Sequence, residues 1–163
     1  QDFETGKLFL PQLFMSADAA KAAFEVVRAQ LNRSDTSQEV KKDKIVLATV
    51  KGDIHDIGKN IVKVLLENYS YDVIDLGKDV PPEKVVEAAV QNHVKLVGLS
   101  ALMTTTVVNM EETIHALHKG DPGCKIMVGG AVLTQEYADM IHADHYAKDA
   151  MDSVRYAHAI FGR

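Results

Sequence analysis

The sequence predicts an α/β fold, a flavodoxin-like (Rossmann-like) five-stranded parallel sheet with an N-terminal helical cap fragment. Three observations lead there. From residue 45 onward, short β-branched runs alternate with longer stretches of helical period, the pattern of a parallel sheet with helices on both faces. The strand run Ile45-Val46-Leu47-Ala48 is apolar throughout, so both of its faces are to be covered. Five such runs in this alternation suit the strand order 2-1-3-4-5.

The strands are expected at Ile45 to Val50, Asp72 to Asp75, Leu96 to Ser100, Lys125 to Val128 and His145 to Ala147. Helices are expected to begin near Gly58, Pro82, Thr106 and Thr134, and a last one to run from about Asp149 to Phe161, with Asp149 or Asp152 near its start. Ile57, Ile61, Val64 and Leu65 recur at helical spacing and define the first of these. Pro81-Pro82-Glu83 suits the start of the second, because proline in a first turn loses no needed hydrogen bond. Before the sheet, Phe3, Leu8, Phe9, Leu10, Leu13, Phe14 and Met15 are apolar, and Ala23, Phe24, Val27 and Leu31 form a helical stripe. The expected organisation is a partial helical cap over 1–33, a polar linker over 34–43 and an α/β domain over 44–163.

Composition narrows the function. With 163 residues and 47% hydrophobic content, the chain can bury one substantial core. No apolar run approaches the roughly 20 residues that cross a bilayer, and no signal peptide is written at the N-terminus, so a cytoplasmic protein without membrane partners is expected. The net charge of −5, with both signs interspersed, argues against a nucleic-acid surface. The single cysteine, Cys124, opens an apolar run and reads as a packing residue rather than a nucleophile.

The residues that can carry chemistry lie where the first strand hands over to its helix. In Asp53-x-His55-x-x-Gly58 a neutral imidazole can bind a metal through one nitrogen while a carboxylate accepts the proton on the other, fixing the tautomer. Gly52 and Gly58 then permit a turn and a close approach to something bulky. A surface Asp-His pair with ordinary loop glycines is the bland alternative, and the commoner one for an isolated triplet. Two further segments of small and hydroxyl residues, Gly98 to Thr106 and Val128 to Thr134, end the next central strands. Singly, Thr104 to Thr106 reads as a helix cap and Gly129-Gly130 as a strand terminus; together with the His55 loop they would surround one cleft. His115 with His118, and His142 with His145, have i, i+3 spacing that could hold zinc on a helix, but no third ligand lies nearby and they read as solvated polar residues.

The stretch V-K-G-D-I-H-D-I-G-K-N-I-V, followed by G-L-S-A-L-M-T-T-T and V-G-G-A, resembles the cobalamin-binding domain of methionine synthase and related corrinoid methyl carriers. Gly6 to Leu13, G-K-L-F-L-P-Q-L, resembles the end of the helical cap that precedes this domain in that family. The resemblance implies cobalamin bound base-off/His-on, with His55 as the lower axial ligand of cobalt and the displaced nucleotide tail in the cleft. It implies a relay of His55, Asp53 and Thr106, the last where methionine synthase has a serine. It implies a cofactor surface of Gly52, Asp53, Ile54, His55, Asp56, Ile57, Gly58, Ser100, Leu102, Thr104, Gly129 and Gly130, with Phe3, Leu10 and Leu13 covering the upper face.

The cofactor would cycle between methylcobalamin and Co(I) cobalamin. The tail from Val128 to Thr134 through Lys148 to Met151 looks closer to methionine synthase, 5-methyltetrahydrofolate–homocysteine methyltransferase, of which this would be the cobalamin module. Homocysteine- and folate-binding methyltransferase domains and a reductive reactivation partner would then be its partners, and it would be inactive without them. The alternative is a stand-alone corrinoid protein of a methanol, methylamine or O-demethylase system, to which Ala101 to Thr106 is also close. Rivals from other classes fare worse. A phosphoacceptor receiver needs an acidic pair where this chain has Thr49-Val50-Lys51, and Asp53 and Asp56 make the loop a poor phosphate site for a flavin or nucleotide binder. A purely structural module is the remaining reading.

Overall fold

The computed structural model describes residues 42–163. In order they form β1 (Lys44–Thr49), α1 (Ile57–Asn68), β2 (Asp72–Asp75), α2 (Pro82–Asn92), β3 (Leu96–Ser100), a 3-10 turn (Thr104–Thr106), α3 (Val107–Gly120), β4 (Lys125–Gly129), α4 (Gln135–Met140), β5 (His145–Tyr146) and α5 (Ala150–Phe161). All pairings are parallel and the sheet order is β2-β1-β3-β4-β5, the order expected from the sequence. The cap over 1–33 and most of the linker lie outside the described residues.

Alternation along each strand sends neighbouring side chains to opposite faces, and here both faces are covered. Ile45, Leu47, Leu96 and Met127 pack with Leu66 of α1 and Val154 and Ala157 of α5. Val46, Ala48, Val97, Leu99, Ile126 and Val128 pack with Val85 of α2, Met110, Ile114 and Leu117 of α3, and Ala138 of α4. The connection from β1 leaves toward one edge of the sheet and that from β3 toward the other. Their helices therefore lie on opposite faces, and the carboxyl ends of β1 and β3, paired through Thr49 and Ser100, flank a crevice.

Strand bounds shift by one residue from expectation: β1 starts at Lys44, β4 reaches Gly129 and β5 stops at Tyr146. Val50 makes only an isolated bridge to Val80. Thr134 caps α4, its hydroxyl accepting from Tyr137 N at 3.2 Å, and Asp149 rather than Asp152 caps α5, accepting from Asp152 N at 2.7 Å.

The apolar stripe expected on α1 is not an ordinary core face. Ile57 is 68% exposed, Ile61, Val64 and Leu65 are half-buried, and the buried positions are Lys59 and Leu66. The N-terminal half of the helix overhangs the crevice instead of lying on the sheet. Cys124 is buried and its thiol is pushed up to about 12 by burial, with Asp121 and Asp144 adding to the shift, as suits packing.

His142 and His145 do not share a helix. His142 occupies a left-handed turn after α4, at φ +59, and His145 is on β5. His145 is not merely solvated: it stacks on Tyr156 at 4.2 Å and its Nε2 lies 3.2 Å from Asp152 Oδ2. Among the described residues no three His, Cys, Asp or Glu side chains are grouped to hold a metal ion, and no helix is long and apolar enough to cross a membrane.

Gly130 closes the end of the sheet. Its φ is +148, and a Cβ there would stand 1.8 Å from the carbonyl oxygen of Ala101, a backbone atom that cannot swing aside. Gly130→Ala is therefore expected to cost roughly 2 kcal/mol or more, from backbone strain and overpacking together. Urea denaturation measures it, and a variant as stable as the parent would show that the β3 and β4 ends separate freely.

Candidate functional site

The segment between β1 and α1 is held as a tight turn. Asp53 N donates to Val50 O at 3.0 Å, and Gly52 takes φ +80, a conformation glycine adopts without strain. Neighbouring loops fasten it. Gly52 N donates to Asp79 Oδ1 at 2.7 Å, Asp79 N to Asp53 O at 3.0 Å, and Asn109 Nδ2 to Lys51 O at 2.7 Å.

This turn carries Asp53 inward, where it is fully buried. Its Oδ1 accepts from the His55 backbone N–H at 3.0 Å and from the His55 ring at Nδ1 at 2.9 Å. Its Oδ2 accepts from Leu102 N at 2.7 Å, Met103 N at 3.2 Å and the Thr106 hydroxyl at 2.8 Å. Burial alone would raise the carboxyl's pKa; hydrogen bonds from the His55 and Leu102 backbone, the His55 ring and Thr106 outweigh it and hold the group well below the usual carboxylate range. A charged carboxylate can only accept, so the proton shared with neutral His55 belongs to Nδ1, and the Nε2 lone pair is left free. Among the described residues nothing bonds to that nitrogen, and the imidazole is 45% exposed. Ile54, 61% exposed, Ile57 and Leu102 surround it with apolar surface open to a ligand.

Beside the imidazole opens a cavity of about 640 Å³, between the first turns of α1, the ends of β3 and β4, and the start of α5. That volume suits a small-molecule ligand. Ile54, His55, Asp56, Ile57 and Gly58 form one side, and Ser100, Leu102, Gly129 and Gly130 the other, as the sequence led us to expect. Ser100 Oγ is 2.9 Å from the buried Thr49 hydroxyl, which orients it.

Three residues expected at the cofactor, Gly52, Asp53 and Thr104, do not line the cavity. Gly52, Asp53 and Thr106 stand behind the wall and shape the His55 loop. Thr104 is exposed on the 3-10 turn, whereas Thr106 two residues on is buried against Asp53. Gly58 makes no turn. A Cβ there would meet nothing within 4 Å, so its role is to leave cavity space. Phe3, Leu10 and Leu13 lie outside the described residues.

Sequence reasoning missed Asp79, which fastens Gly52; Lys59 and Ser153, which line the cavity; and Thr49 behind Ser100. Only Lys59 had a legible signal, its place among apolar helix residues, and its burial depends on a partner far along the chain.

Comparison with known proteins bears on this site. A family model described as the B12 binding domain matches residues 43–155. Dimethylamine corrinoid protein 2 of Methanosarcina mazei is 43% identical over 157 residues, which cover 95% of this chain and 72% of that protein. The methanol:cobalamin methyltransferase complex of Methanosarcina barkeri superposes with a TM-score of 0.82 at 33% identity, covering 99% of this chain and 61% of the solved one. The monomethylamine corrinoid protein of the same organism superposes at 0.66 with 32% identity, covering 96% and 74%.

The donor set around Asp53 sets two expectations. Asp53→Asn turns an amide NH2 toward backbone N–H donors and should cost about 1–3 kcal/mol, the penalty of stranding buried polar groups. Thr106→Val removes one donor of several and should cost about 1 kcal/mol. Denaturant midpoints of the cobalamin-free protein measure both; a larger loss for Thr106→Val than for Asp53→Asn would contradict this ranking.

Proposed function

Because the chain belongs to the B12-binding domain family, we propose that it is a corrinoid methyl carrier serving a separate methyltransferase that acts on a methylamine or methanol, rather than the cobalamin module of methionine synthase. The dimethylamine, monomethylamine and methanol systems named among its relatives favour this reading. None of those names supports homocysteine or folate partners.

One observation carries the site assignment: an exposed imidazole whose Nδ1 is fixed by a buried carboxylate and whose Nε2 faces outward beside a glycine-walled cavity. The residues present fit cobalamin. Nε2 of His55 offers the donor for a lower axial ligand in a base-off/His-on arrangement, and the cavity offers room for the detached nucleotide tail. Bound cobalamin supplies a cobalt centre that accepts a methyl group and gives it up again.

The protein's part is positional and electrostatic. Asp53 holds the His55 tautomer and strengthens Nε2 as a donor. Thr106 keeps Asp53 in place. With both neighbours of the Thr106 hydroxyl acceptors, Asp53 Oδ2 and Met103 O each at 2.8 Å, its single proton favours the charged one. Ile54, Ile57 and Leu102 offer apolar contact to the corrin, Gly58 and Gly129 leave room for the tail, and Ser100 offers it a hydroxyl. The division of the chain proposed with this reading is a partial helical cap at 1–33, a linker at 34–43 and the cobalamin-binding domain at 44–163.

The visible spectrum after incubation with hydroxocobalamin tests the assignment. His55→Gly should retain cobalamin but lose the His-on spectrum and most methyl transfer; a spectrum unchanged by the substitution would refute ligation by His55. Incubation of the methylated carrier with an amine- or methanol-specific methyltransferase, against a folate/homocysteine module, decides the partner. Gly58→Leu should weaken cobalamin binding at least about tenfold, or about 1.4 kcal/mol, while leaving binding of tail-less cobinamide unchanged. An equal loss for both ligands would place the tail elsewhere.

A further inference from the structure

We propose that the ion pair between the buried Lys59 and the half-buried Asp75 is a positioning device that sets the first turn of α1, and with it the His55 loop, at its height over the cavity. Its significance for cobalamin rests on the function proposed above; its structural content does not.

The ordinary means of fixing a helix start are missing at α1. Asp56 stands at the N-cap with φ −117 and ψ 4 and makes no side-chain cap bond. Ile57 is turned out to solvent, and Gly58 has no side chain with which to pack. The first side chain of this helix to be buried is Lys59, 4% exposed. Its Nζ donates to Asp75 Oδ1 at 2.5 Å and to Asn60 Oδ1 at 3.1 Å. One turn later Lys63 Nζ reaches Asp75 Oδ2 at 3.2 Å.

Asp75 is itself anchored. It ends β2, opposite Leu47 of β1, and its Oδ1 also accepts from Gly77 N at 2.9 Å. Burial pushes its carboxyl up, but hydrogen bonds from Lys59 and Gly77 together with the Lys59 charge outweigh this and hold it below its ordinary value. A charge network thus joins the first two turns of α1 to the sheet, while their apolar residues overhang the cavity.

Stability alone is a poor reason for this arrangement. Cations near a helix N-terminus oppose the helix dipole, and a buried ion pair gains little net free energy over apolar packing. What the pair supplies is direction. An apolar residue at position 59 would draw the helix down onto the sheet and into the cavity, whereas a long lysine reaching sideways to Asp75 holds the turn at a fixed distance. Because the helix begins two residues after His55, that distance also sets where the imidazole stands.

The test uses Lys59→Met/Asp75→Asn, which removes both charges and keeps an acceptor for Gly77, alongside Lys59→Arg. In the cobalamin-free protein, amide hydrogen exchange at Asn60 and Ile61 should accelerate about tenfold or more in the double variant. Its melting temperature should stay within about 5 °C of the parent, and Lys59→Arg, which keeps the charge, should retain most of the protection. With hydroxocobalamin bound, the double variant should show a reduced His-on fraction. Unchanged exchange at Asn60 and Ile61 would overturn the proposal, and so would a double variant that does not fold, since the pair would then be a general support of the fold. If the parent protein takes up no cobalamin, the functional reading fails while the exchange measurement still decides the role of the pair.

Discussion

A carboxylate removed from water is tolerable only when donors replace its hydration, and Asp53 meets that condition with groups from three segments. The His55 backbone and ring approach from its own loop, Leu102 and Met103 from the end of β3, and Thr106 from the turn leading into α3. The bonds from Leu102, Met103 and Thr106 tie the end of β3 to the His55 loop through a single side chain. The geometry of His55 is therefore not a property of its loop alone. It follows from how β1 and β3 lie side by side and where their connections leave the sheet.

The same crossover makes room for a ligand. Helices leaving to opposite faces separate at the carboxyl ends of β1 and β3, Gly58 keeps a side chain out of the gap, and Gly130 allows the close approach of Ala101 beside it. An exposed histidine beside such a gap is ordinarily free to turn. Here its ring is tethered at Nδ1, which limits the directions in which Nε2 can point. Burial, tether and cavity are three aspects of one arrangement, and together they suit a broad ligand with a flexible appendage better than a compact phosphate.

The carrier and methionine synthase readings share this machinery, which explains why motif comparison around His55 does not separate them. Both readings use the same His55 motif and the same cavity. What distinguishes partners lies on surfaces that meet a methyltransferase, and the sequence segments weighed for methionine synthase, Val128 to Thr134 and Lys148 to Met151, largely line the cavity or start a helix. Residues that contact a shared cofactor are poor witnesses to partner identity. The relatives matched across most of the chain, outer surfaces included, are themselves named for amine and methanol systems.

Local rules sufficed for the element order, the parallel sheet and the His55-Asp53 pairing, because apolar runs, helical period and two-residue separation are all written in neighbouring positions. Resemblance, not a local rule, singled out Thr106, whose hydroxyl donates to Asp53 Oδ2 at 2.8 Å. Tertiary structure decided the rest. Thr104 is exposed while Thr106 is buried, Gly58 stands in the helix beside open space rather than in a turn, and Asp79 reaches Gly52 from 27 residues away. Lys59 is buried because Asp75, 16 residues further on, meets its charge at the end of a neighbouring strand. A sequence records the chemistry each residue brings. Which charges and donors find one another across the sheet depends on the packing of segments distant in the chain, and that appears only once the fold has formed.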